Sequence, residues 1–66
     1  MASLKAQIAE LRRELTVRRR VFPQWVASGK LDQAEADRRC DRLEAAIASL
    51  YELQALRAPQ LFDDPV

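Results

Sequence analysis

The sequence predicts an all-α chain: an antiparallel two-helix hairpin that pairs with a second copy into a dimeric four-helix bundle. Three observations predict it. Eleven alanines against one glycine and three prolines in 66 residues give strong helix propensity and little material for the many turns of a sheet protein. Two apolar seams in four–three alternation flank a single turn signal, the pattern of helices packed along a common stripe. One edge of that stripe stays apolar after the two helices are paired, and so calls for a second copy.

The first helix is expected over about residues 3–27. Its seam is Leu4, Ile8, Leu11, Leu15, Arg18, Phe22 and Trp25, with Pro23 either kinking the helix or restarting it as a short last turn. The turn, residues 28–31, contains Gly29, which can take the left-handed conformation that closes a helix. Asp32 reads as the N-cap of the second helix, with Glu35 reaching back in a capping box and Leu31 stapled onto Ala36. The second helix, about residues 32–57, carries the seam Ala36, Cys40, Leu43, Ile47, Leu50 and Gln54. The hairpin is expected to fill residues 1–58. Ala58 precedes Pro59, which disfavours further helix, and residues 59–66 read as an extended acidic tail.

Folding at the turn sets Phe22 opposite Ala36, Arg18 opposite Cys40, Leu15 opposite Leu43, Leu11 opposite Ile47 and Ile8 opposite Leu50. Large meets small at the tip, and medium meets medium along the shaft. On one edge Arg19 falls opposite Asp37 and Arg12 opposite Glu44; each such exposed pair contributes only ~0.2–1 kcal/mol, but together they favour this register. The other edge holds Val17, Val21, Ala46, Leu53 and Leu56, with no partner inside one hairpin. Below roughly 70–80 residues a single core seldom supplies more than ~3–5 kcal/mol, so these five residues are the expected homodimer interface. A host protein covering the same edge is the rival.

Composition narrows the chemistry. The net charge of +1 with no histidine and one cysteine excludes a disulfide framework, a cysteine-based zinc site and a histidine-assisted nucleophile. No glycine-rich phosphate loop is present, so no enzyme is expected, and neither a cofactor nor a metal is implied. Asp37, Asp41 and Glu44 could share a cation, but Arg38, Arg39 and Arg42 surround them. No apolar run is long enough for a membrane span, and the N-terminus lacks a signal peptide's apolar centre; a soluble, reducing, intracellular setting is expected.

Charge is polarised: residues 1–30 hold seven basic and two acidic groups, while residues 31–66 hold four basic and eight acidic. Arg12, Arg13, Arg18, Arg19 and Arg20 form the basic cluster, to be weighed between phosphate contacts and a salt-bridged solvated face. Arg18 interrupts the seam as a polar register residue does. At the closed end, Phe22, Trp25, Arg19, Arg20 and Lys30 are the expected partner-binding residues, because tryptophan and arginine dominate binding hot spots; the alternative for Trp25 is a cap over the end of the core. Cys40 reads as a small core residue, and Tyr51 as half-buried near Lys5.

The stretch Arg18-Arg19-Arg20-Val21-Phe22-Pro23-Gln24-Trp25-Val26-Ala27-Ser28-Gly29-Lys30-Leu31, followed by Gln33-Ala34-Glu35-Ala36-Asp37-Arg38, resembles small uncharacterised proteins of tailed phages and prophages of proteobacteria. The shared block is a basic pair, an aromatic, proline, a Trp-Val pair, Gly-Lys and then Ala-Asp-Arg opening a helix, and it covers about a third of the chain. The resemblance implies a phage or prophage early gene product acting in the host cytoplasm, and it carries no known activity or site residue. In the tail, Gln60-Leu61-Phe62 is similar in part to sliding-clamp-binding peptides, and Phe62 to Val66 to the acidic tip of bacterial single-strand-binding proteins; plain solvation is the alternative. The function expected from the whole is a non-catalytic interaction module that binds and inhibits or redirects a host protein, in host takeover or anti-defence. The alternatives are a nucleic-acid accessory protein using the Arg12–Arg20 surface and a purely structural assembly subunit.

Overall fold

A computed structural model describes residues 2–57, and the expectations for the tail and its motifs lie outside the described residues. Two helices, α1 (Leu4–Ala27) and α2 (Gln33–Arg57), fold back on one another as a hairpin, and no strand occurs among the described residues. Ser3 opens α1: its backbone is extended and its hydroxyl accepts the Ala6 N–H at 3.1 Å, satisfying one of the donors every helix start leaves free. The helix then runs without interruption through Pro23 to Ala27. Proline lacks the N–H that Arg19's carbonyl would accept, yet α1 does not restart there as a separate last turn.

The turn is a Schellman closure. Lys30 N–H donates to the Trp25 carbonyl at 2.8 Å and Gly29 N–H to the Val26 carbonyl at 3.1 Å, with Gly29 at φ +80°. The chain re-enters helix through Asp32, whose carbonyl accepts the Ala36 N–H at 2.9 Å. The expected capping box does not form. Both oxygens of Glu35 are taken in the forward direction, by Arg38 and Arg39, because these arginines lie three and four positions on along the same face.

The core is one thin stripe. Ile8, Leu15 and Phe22, seven residues apart, are buried from α1, and Ala36, Leu43 and Ile47 from α2. Leu15, Leu43 and Ile47 make its centre, with Leu11 and Cys40 packed against them. The intervening seam positions fare differently. Leu4, Leu11, Arg18, Cys40, Leu50 and Gln54 are only half-buried, because two helices have one contact line and no third element among the described residues covers its flanks. Nothing polar or charged is buried among the described residues, so the core carries no specificity device of its own.

Candidate interaction surface

The closed tip is the most firmly specified local structure. The Trp25 carbonyl accepts three donors: Lys30 N–H, Leu31 N–H at 3.3 Å and the Ser28 hydroxyl at 3.1 Å. Every donor comes from the turn itself, so the backbone under Trp25 is held without help from the core. Its ring tilts against Phe22, with centroids 5.6 Å apart and planes at 33°, a geometry favourable to the two quadrupoles. Phe22 is 7% exposed and Trp25 is 39% exposed. The buried ring thus supports the exposed one; Phe22 offers a partner no free area, whereas Trp25 does.

Beside the tip, a shallow groove lies between the helices. Phe22, Pro23, Val26, Ala36 and Cys40 give it an apolar floor, and Arg18, Arg19, Gln33 and Asp37 a polar rim. Asp37 accepts from the Gln33 side-chain amide at 2.9 Å, which holds both on the α2 side. Arg18 donates to Glu14 at 3.0 Å and across the hairpin to the Arg39 carbonyl at 3.0 Å. The seam arginine therefore ties α1 to the backbone of α2 beside Cys40. Glu35 sits at the start of α2 between two guanidiniums; hydrogen bonds from Arg38 and then Arg39 hold its carboxyl below the ordinary glutamate range.

The expected cross-hairpin charge pairs are displaced by two turns. Arg19 pairs with Glu44 rather than Asp37, and Arg12 donates to the Tyr51 hydroxyl at 3.1 Å rather than to Glu44. The cause is geometric. Helical side chains lean toward their own N-terminus, so those of α1 lean away from the tip while those of α2 lean toward it. Long arms on antiparallel helices therefore meet partners farther from the tip than a level-by-level count gives. Tyr51 lies with Lys5, Ile8, Ala9, Arg12 and Gln54, on the Lys5 edge as expected, but it is exposed rather than half-buried.

The expected binding residues are not one patch. Trp25 and Lys30 meet at the tip through the backbone, and Arg19 stands on the groove rim. Arg20, five positions before Trp25, projects about 140° around α1 from it and belongs to a different face. Pro23 and Val26, read from the sequence as closed-end neighbours of Trp25, and Gln33, which the sequence did not single out, complete the groove. On the opposite edge Val17, Val21 and Leu53 are half-buried, Ala46 is exposed, and Leu56 is 78% exposed. Among the described residues no three His, Cys, Asp or Glu side chains converge as a metal site, and no helix is long and apolar enough to cross a membrane. Comparison with protein-family models, with curated proteins and with solved structures returns no match.

Proposed function

We propose that this chain is a non-catalytic protein-interaction module that presents its closed tip to a partner protein. The observation that carries the reading is Trp25: a large ring more than a third exposed, on a backbone pinned by three hydrogen bonds and backed by a buried phenylalanine. A side chain so held loses little freedom on binding, which is what makes a tryptophan an effective anchor. Across Phe22 from that ring, the groove supplies apolar floor for a partner's side chains, with Arg18 and Arg19 on its rim. The resemblance to phage and prophage proteins supplies the remainder of the proposal: a host protein as target, bound in the host cytoplasm and inhibited or redirected by stoichiometric occupation.

The working form is a homodimer. Val17, Val21, Ala46, Leu53 and Leu56 lie along the edge opposite the Arg19–Glu44 pair, and a two-fold copy would close them into a four-helix bundle with two outward tips. The test is affinity capture from proteobacterial lysate followed by titration of the recovered protein against wild type and Trp25→Ala. The variant is expected to keep its helicity and dimer and to bind more weakly by about 2 kcal/mol or more, roughly 30-fold. A variant that unfolds or dissociates makes Trp25 a cap over the core, and unchanged affinity moves the contact surface elsewhere.

A further inference from the structure

The outer face of α1 carries a second surface, unrelated to the tip. Lys5, Arg12, Arg13 and Arg20 are all exposed and recur at intervals of seven and eight residues, with Ala9 and Thr16 between them. Seven residues advance a helix by about 10.5 Å, so the four cations form three tiers over roughly 22 Å of a straight rod. Ala9 and Thr16 line one shallow concavity with Arg12 and Arg13, and Lys5 faces Arg12 across Ala9 in the next. The Thr16 hydroxyl is turned back onto the Arg12 carbonyl, which leaves the floor low and without competing charge. The four ion pairs among the described residues engage Arg18, Arg19, Arg38 and Arg39, and no described carboxylate lies within 4 Å of Lys5, Arg12, Arg13 or Arg20. Glu10, a turn before Arg13, borders the face without pairing to it, and Glu14 is committed to Arg18.

We infer that this face docks on the phosphate backbone of duplex nucleic acid, without regard to sequence. Its chemistry separates duplex from the other polyanions. A membrane-surface helix sets large apolar residues beside its cations, and here the interleaved residues are alanine and threonine. A protein partner needs an anchoring aromatic, and single-stranded nucleic acid needs rings for its bases to stack on. Trp25 lies on another side of α1, and the ring that does reach this face, Tyr51 of α2, stands at one end between Lys5 and Arg12 with its hydroxyl held by Arg12, so no succession of rings runs along the row. What remains is a rigid row of point charges on a low floor, suited to a rigid row of phosphates. Val17 lies four positions after Arg13 and three before Arg20, so the cationic face borders the proposed dimer edge.

The test is fluorescence anisotropy of the full chain with a labelled random-sequence 20-base-pair duplex across a potassium chloride series. Four phosphate contacts give a slope of log K on log salt of about −3.6 for each copy engaged, so binding weakens about 150-fold between 50 and 200 mM. Arg13→Gln with Arg20→Gln should weaken binding on the order of 10²-fold at 50 mM and make the slope shallower by about 1.8 for each copy. Arg42→Gln with Arg57→Gln removes equal charge from α2 and should have little effect; an equal loss there reduces the effect to net charge and overturns the inference. Should the first double variant lose helicity by circular dichroism, Ala9→Glu supplies the test, placing a carboxylate between the first two tiers on an already exposed position. Undiminished affinity in Ala9→Glu, absence of duplex binding at 50 mM, or preference for phosphatidylserine vesicles or a single strand over duplex likewise overturns it.

Discussion

Leu56→Glu is the sharpest probe of how this chain completes its core. Leu56 is 78% exposed in a single hairpin, so the hairpin's own packing owes it almost nothing. Leu53 is half-buried already, and charging it would mix intramolecular with intermolecular loss. Burying a whole leucine side chain contributes ~2 kcal/mol, and most of that value is still unrealised at Leu56. Counted on both protomers of a two-fold dimer, the substitution removes about 3 kcal/mol, with the cost of desolvating two carboxylates in addition. That corresponds to a dissociation constant raised by about 10²-fold or more. Sedimentation equilibrium or light scattering over a concentration series reads it, beside helicity at each concentration, because folding and association are linked. Glu44→Gln is the matched control: it breaks only the exposed pair with Arg19 and should leave assembly unchanged. A wild-type chain that stays a folded monomer at micromolar concentration, or a Leu56→Glu chain that dimerises as wild type does, refutes the reasoning.

Gly29→Ala should lower the melting temperature by the equivalent of about 1 kcal/mol, seen in a circular dichroism melt. Open space surrounds the position, so the cost comes from the φ of +80° alone, and an unchanged melt would show the turn can re-form otherwise. Glu35 adds a pH dependence of known sign. Its carboxyl is held low by Arg38 and Arg39, so its contribution is present above about pH 4.3, the unfolded value, and is lost as pH falls through the lower folded one. Melting temperatures from pH 6 to pH 2.5 should therefore decline less steeply in Glu35→Gln than in wild type, and parallel curves would remove the pair from the account.

How far the structure could be read in advance depended on side-chain length. The helical hairpin was legible because its determinants are short-range: apolar spacing in the two seams, and Gly29 at the one position that needs a left-handed backbone. Short side chains also behaved as a level-by-level pairing requires, with Phe22 and Ala36 both buried at the tip. Long ones did not. Arg19 and Arg12 found Glu44 and Tyr51 because lean and reach, invisible in a list of positions, carry them two turns from their level neighbours. Glu35 illustrates the other limit. A capping box and a pair of forward ion pairs are written in the same few residues, and only the competition between them decides which forms. At the candidate site, the exposure of Trp25 and the separation of Arg20 from it needed the helix phase around Pro23, on which the sequence left alternatives open.

The Schellman turn also bears on how the chain reaches its fold. Contacts across the hairpin nest around it like the rungs of a closing zip: Arg18 to Arg39 spans 21 residues, Arg19 to Glu44 spans 25, and Arg12 to Tyr51 spans 39. The smallest loop is closed by the turn itself, through Trp25 and Lys30. Once that is made, the spans of 21, 25 and 39 residues rise by less than a doubling at each step, and loop entropy grows slowly, by about 0.6 kcal/mol per doubling. Such local topology belongs to the fast end of folding, with helix formation and turn closure on the microsecond-to-millisecond scale. The tip under Trp25 is thus also the first part to take shape.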